Sequence, residues 1–144
     1  MPNLKMHCIS LNPNHLNIIK KLNYIPVGLG DSSFSQSWLT DKTDYNINSK
    51  NKYYGEYTFH YWLWKNNKLD FNGWIGFCQY RKFWKKNSTN FTDNKFELFE
   101  NLLLKEIPES FNKYDSIIGE NFFVNKFRFS KFIKHNFKTM ISEP

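Results

Sequence analysis

Only two arginines, Arg81 and Arg128, stand among the 20 basic residues of this 144-residue chain. Arginine's planar fork is preferred for bidentate phosphate contacts, so a net charge of +7 does not by itself predict a nucleic-acid surface. The lysines are scattered among asparagines, which reads as a solvated face. They remain compatible with an anionic small ligand, such as a phosphate ester, or with an anionic membrane surface. Cysteine is equally scarce: Cys8 and Cys78 lie far apart in apolar runs, without a CxxC partner. Two buried free thiols are expected, not a disulfide. No apolar run is long enough to cross a bilayer, and no basic-apolar-small signal leads the chain, so the default compartment is the cytoplasm. HxxxH, HExxH, GxSxG, Walker and DxD sequences are absent, which leaves hydrolase, kinase-like and simple metal-site readings unsupported. The one sequon, Asn87-Ser88-Thr89, carries little weight without a secretory signal.

Aromatic residues are abundant, at 19%, which predicts a packed globule, and the length fits one domain over residues 1–144. Met6–Leu11 reads as a first strand. Asn12-Pro13 is an N-cap and N1 pair opening a helix through about Leu22, with Leu16, Ile18, Ile19 and Leu22 inward. Tyr24–Val27 is a second strand, broken by Gly28-Leu29-Gly30, and Pro26 suggests an edge position or strand end. Strand, helix and strand make a parallel βαβ unit. Residues 31–50 form a long polar connection. An aromatic helix over about Ser49–Lys65, apolar nearly all round, is expected to be largely buried. A strand follows at Gly73–Cys78, then a helix over Lys95–Glu106 ended by Pro108, and a fourth strand at Ser116–Gly119. Residues 122–140 read as a strand or turn and then a helix from Ser130. The order βαβ…αβ…αβα predicts an open α/β sheet, mainly parallel and flanked by helices, with its last part missing.

Candidate chemistry concentrates where the aromatic helix feeds the Gly73–Cys78 strand. Gln79, Tyr80, Arg81 and Lys82 leave that strand at its carboxyl end, where open α/β sheets bind ligands. Arg81 can pair with a diphosphate and Tyr80 can stack on a base or sugar; alternatively the strand simply leaves the core and the cations are solvated. Glu56 and His60 are four apart on one helix face, with Lys52 a turn earlier. They are a carboxylate facing a cleft or a Lys52–Glu56–His60 ladder on a solvated stripe. Asp41, Asp44 and Asn46 cluster in a loop that can contact a sugar or metal, though turn and capping duties explain them equally. Gly28-Leu29-Gly30 is an incomplete dinucleotide fingerprint.

Taken jointly, YIPVGLG, DKTDYNI, KNKYYGEYTFHYWLWKN and WIGFCQYRKFW arrive in an order that resembles the bacterial capsular-polysaccharide glycosyltransferase-like family catalogued as domain of unknown function 4422. Its pattern has a D-x-T-G-D-N-I-S-like loop, a C-E-L-T-A-x-Y-W-x-W-K-N helix and a Y-I-G-L-C-H-Y-R-R-Y-F strand exit. The similarity covers Tyr24 to Trp84, and more loosely KYDSIIG to His135. It implies a GT-A-like α/β fold and a nucleotide-sugar donor. Residue by residue it points to Asp41, Asn46, Asn51, Glu56, Trp62, Lys65, Asn66, Tyr80 and Arg81. Gly55 stands where the family has Cys, Gln79 where it has His, and Asp44-Tyr45-Asn46 blurs the G-D-N triplet. Glutamine is neither acid nor base, so any role of that histidine is absent here. The family domain is also longer than this chain.

The expectation is a cytoplasmic glycosyltransferase-like domain, compatible with peripheral association at the inner face of the membrane. It would move a sugar from a nucleotide-sugar donor to a glycan or lipid-linked acceptor in surface polysaccharide assembly. Glu56 or Asp41 would accept the acceptor's proton. Arg81 with Lys82, and Tyr80, Asn46 and Gln79 around them, would hold the donor diphosphate. His60, Asn51, Trp62, Lys65 and Asn66 would support the site. No metal ligand set is expected from the chain alone, although a donor diphosphate is compatible with manganese or magnesium. Two rival readings stand: a non-catalytic sugar- or nucleotide-binding module, and a basic, aromatic-rich nucleic-acid binder. The sequence specifies no oligomeric state.

Overall fold

Leu4–Ser10 sets Leu4, Met6 and Cys8 against Lys5, His7 and Ile9 at a period of two and forms β1. A computed structural model describes residues 3–69, 72–86 and 100–119. Asn12 caps the next segment by accepting from the Asn14 N–H at 2.9 Å, and Pro13 occupies the first helical position. One 3₁₀ turn leads into α1, Leu16–Lys21. Ile25–Gly28 forms β2, Leu39–Thr40 β3 and Trp74–Gln79 β4. Helices α2, Asn51–Tyr54, and α3, Tyr57–Lys65, lie between β3 and β4.

The four strands are parallel, in the order β3-β2-β1-β4. This is the open α/β architecture expected from the sequence. One core cluster joins Met6, Cys8 and Cys78 to Ile19, Leu22, Tyr24 and Leu103, so α1 covers that face of the sheet. The other joins Ile9, Val27 and Leu29 to Phe59, Trp62 and Leu63 of α3. Phe59 is fully buried and touches the rings of His7, Trp62 and Phe77; truncating such a side chain costs about 3–5 kcal/mol. Cys8 and Cys78 are free, buried and directly in register across β1 and β4. Gly76 lies against Met6 of β1: a Cβ there would fall 2.7 Å from Met6 Sδ, so the flexible thioether would have to shift.

Several expectations need correction. The aromatic helix is two helices, because Gly55 takes φ 55° and ψ −130° and ends α2. Nor is it buried all round: α3 touches the sheet on one side, and Tyr53, Tyr54, Tyr57 and Trp64 are exposed. The polar connection contains β3, whose pairing spans only Val27 and Gly28 of β2. Pro26 therefore lies in an interior strand, on a stretch that β3 does not reach, where its missing N–H costs no ladder bond. Ile18 is 49% exposed, because α1 is only six residues long and turns Ile19 inward instead. Helical structure at residues 100–102 gives way at Leu103, which bridges Lys85; Leu104 N–H donates to Trp84 O at 2.9 Å. The helix expected through Glu106 thus ends early. Residues 116–119 are not a strand, and Ile118 is 82% exposed. The start of the Lys95–Glu106 helix and the elements expected over 122–140 lie outside the described residues.

His7 donates through Nδ1 to the Gly76 carbonyl at 3.3 Å and lies against Phe77 and Phe59. Burial holds its pKa, and that of His60, below the ordinary histidine value of 6.5. The unfolded chain therefore binds protons that the fold does not, and stability is full above about pH 6.5 and falls below it. Urea unfolding between about pH 7.5 and 5 should show this slope, reduced in His7→Gln; a slope unchanged by that substitution would contradict the assignment.

Candidate functional site

The chain builds β1, β2 and β3 outward in one direction and then returns to the other side of β1 with β4. The carboxyl ends of β1 and β4 therefore lie side by side where the strand order reverses, with the chain leaving β1 toward β2 and brought back to β4 on β1's other side by α2 and α3, and a crevice opens there. In open α/β sheets this switch point is where ligands bind. Ser10–Asn12 leaves one lip and Gln79–Lys82 the other. The second lip is a tight turn, closed by Lys82 N–H donating to Gln79 O at 2.9 Å and by Gln79 N–H donating to Lys82 O at 3.2 Å.

The break at Gly55 delivers Glu56 to this turn. Gln79 Nε2 donates to Glu56 Oε2 at 2.5 Å, joining the start of α3 to the end of β4. One turn on, His60 packs edge-on against Phe77 with ring centroids 4.6 Å apart. Its Nε2 is buried and has no hydrogen-bond partner among the described residues. Burial keeps His60 neutral, opposed in part by the Glu56 carboxylate. Glu56, His60, Gln79 and Lys82 line a cavity of about 360 Å³ floored by Ile9 and Phe77. The cavity can hold one sugar or part of a nucleotide. A larger one, about 690 Å³, lies along β4 between Leu4, Trp74 and Ile107 and meets the first at Phe77 and Trp84. It is chiefly apolar and gathers no acid–base pair, so the smaller cavity carries the chemistry.

Beside it lies a second group that sequence reasoning missed. Ser10 Oγ accepts from the Asn12 N–H at 3.0 Å and lies 2.8 Å from His15 Nδ1. The His15 and Tyr80 ring centroids are 4.3 Å apart, and the Arg81 guanidinium carbon lies 5.1 Å from the Tyr80 ring centre. The sole signal for it was a polar Ser-Leu-Asn-Pro exit from the first strand, read only as a helix start.

The remaining expected site residues fall elsewhere. Asn46 organises its own loop, donating to Asp44 O at 2.9 Å. Asn66 clamps that loop through Tyr45 O at 2.8 Å and Tyr45 N–H at 3.2 Å, and Trp62 Nε1 donates to Thr43 O at 2.9 Å. Asn51 bonds Gly55 O and Thr58 Oγ1, bracing the helix break. Lys65 is exposed and lies over the Trp64 ring. Asp41, just past β3, is fully buried, and neither carboxylate oxygen finds a hydrogen-bond partner among the described residues. It does not line the Glu56 cavity.

A divalent ion fits these residues poorly. Among the described residues no three His, Cys, Asp or Glu side chains gather as a cage. An ion bridging a diphosphate needs only one or two carboxylates, but one Glu56 oxygen is engaged by Gln79 and Asp41 is sealed from solvent. No step is derived through a metal.

A family profile described as domain of unknown function (DUF4422) matches residues 10–142. The chain belongs to this family. The match covers β1's last residue and β2, β3 and β4, both crevice lips and α3, so all of the site described above except Ile9 lies within the DUF4422 region. No curated protein and no solved structure matches the chain.

The Glu56–His60 coupling is directly measurable. Glu56 raises the His60 pKa against burial, so Glu56→Gln should lower the His60 midpoint in an NMR titration; an unchanged midpoint would show the two groups do not interact.

Proposed function

We propose that this protein is a glycosyltransferase that moves a sugar from a nucleotide-sugar donor to a hydroxyl acceptor. One observation carries the reading. A carboxylate, a neutral histidine, an amide and a lysine converge on one cavity at the β1/β4 switch point of a parallel sheet. In the proposed reaction the acceptor oxygen bonds to the anomeric carbon. The bond from that carbon to the donor phosphate breaks, and the diphosphate leaves with the electron pair. The acceptor proton passes to Glu56 or His60, the two groups in the cavity able to take it. Lys82, in the cavity wall, and Arg81, on the turn beside it, offset charge developing on the diphosphate. Tyr80, beside His15 and Arg81, offers a ring edge or face for the base or sugar. The motif resemblance supports a place in surface polysaccharide assembly.

A second reading, ligand binding without turnover, is favoured by Gln79. It stands where the resembled pattern has histidine, and its amide already engages Glu56.

One experiment separates the two. The protein is melted with a panel of nucleoside diphosphates and nucleotide sugars, with and without manganese, and transfer is followed by mass spectrometry. A donor at a hundred times its Kd adds about 2.7 kcal/mol of stability. Base-selective stabilisation with transfer, reduced about 10²–10⁴-fold in Glu56→Gln or His60→Ala, is the expected result. Stabilisation without transfer selects the binding module. Absence of any shift in a cooperatively melting protein contradicts both.

A further inference from the structure

Tyr57, Tyr61 and Trp64 succeed one another at helical spacing on α3 and so share one side of it. This side is opposite Phe59, Trp62 and Leu63, which pack on the sheet. Tyr57 and Trp64 are 66% and 64% exposed, and Tyr53 and Tyr54 on α2 are 72% and 51% exposed. The outer side is therefore aromatic without being packed.

Its charge is of one sign. Lys52 and Lys65 are exposed beside these rings, with Lys52 Nζ 5.6 Å from the Tyr53 ring centre and Lys65 Nζ 5.8 Å from that of Trp64, and Lys50, just before α2, is exposed as well. Glu56 is the sole acidic residue from 45 to 69, and it is turned to Gln79. Asp44, just before, is paired with Lys68 at 3.1 Å. None of the cavities described above, nor that formed by Asp44, Tyr45, Asn66 and Lys68, includes Tyr53, Tyr54, Tyr57 or Trp64.

Tyrosine and tryptophan settle at the headgroup level of a bilayer, apolar ring inward and polar edge in water. Lysines among them are drawn to anionic headgroups. We propose that the outer side of α2 and α3 is a docking surface for an anionic lipid bilayer. Glu56, at the junction of the two helices, reaches the crevice from the same segment, so docking sets the crevice near the headgroups. The surface does not depend on the chemistry proposed for the crevice.

The test is cosedimentation of the whole chain with vesicles of phosphatidylcholine alone or mixed with phosphatidylglycerol. Three lysines near an anionic surface predict binding about a hundredfold tighter to the mixed vesicles, weakening as salt is raised. Lys50→Glu, Lys52→Glu and Lys65→Glu combined, or Trp64→Ser, should lose that binding with an unchanged melting temperature. A charge-matched variant with Lys20→Glu, Lys42→Glu and Lys113→Glu should keep it. The proposal is overturned by absent binding, by equal binding to both vesicles, by equal loss in the charge-matched variant, or by retention on single-stranded RNA with none on vesicles.

Discussion

Because β1 has β2 on one side and β4 on the other, it receives chain from both directions and fixes where the two halves of the domain meet. Its register with β4 runs from Leu4 opposite Trp74 to Ile9 opposite Gln79. A slip of one residue would turn every side chain of β4 to the other face. Cys78 would leave the α1 side, and Gln79 would point away from Glu56. The register is held by shape as well as hydrogen bonds. Gly76 gives Met6 its room, and Trp74 N–H donates to Asn3 O at 2.8 Å at the strand's start. The crevice is a consequence of this pairing: the strand order reverses between β1 and β4, so their carboxyl ends meet as neighbours although about 69 residues separate them in the chain.

Within that frame, Gly55 does the local positioning. An unbroken helix would carry Glu56 as one more exposed rung of a charged ladder. The left-handed turn instead ends α2, with Asn51 and Thr58 satisfying the carbonyl of Gly55, and lets α3 begin at a new angle with Glu56 beside Gln79. The two ends of α3 then serve different purposes. Its first turn faces the crevice, while its later turns bury Trp62 and Leu63 and hold the 43–45 loop through Trp62 and Asn66. Several residues that looked like ligand contacts thus form the frame around the site.

Much of the fold was legible because its main signals are long. The short apolar runs of β1 and β4, the Asn12-Pro13 helix start and the order of elements all specify an open parallel sheet. What stayed hidden depends on contacts distant in the chain. Two residues of β3 give no periodicity, and Leu39 and Thr40 become a strand only because β2 offers a partner. Ser116–Gly119 carries strand-like residues, yet it pairs with no strand among the described residues, and β propensity without a partner is weak. The aromatic helix misled for a related reason. Ring content says nothing of which side meets the sheet, and only one side does. At the site, the Gln79–Lys82 exit and the Glu56–His60 spacing were readable, and Lys82 joins Glu56, His60 and Gln79 in one cavity wall. The Ser10–His15–Tyr80 contact was not, because it joins residues some 65 to 70 positions apart in sequence.

The central claim is that the β1/β4 crevice is a donor site. The measurement that bears on it most directly is NMR chemical-shift mapping of the labelled protein with a nucleotide sugar. The account predicts shifts concentrated at Ser10, His15, Glu56, His60, Gln79, Tyr80 and Lys82, with the exposed turns of α1 unmoved. Saturable shifts clustered along the apolar cavity at Leu4, Trp74 and Ile107, with the crevice silent, would contradict it.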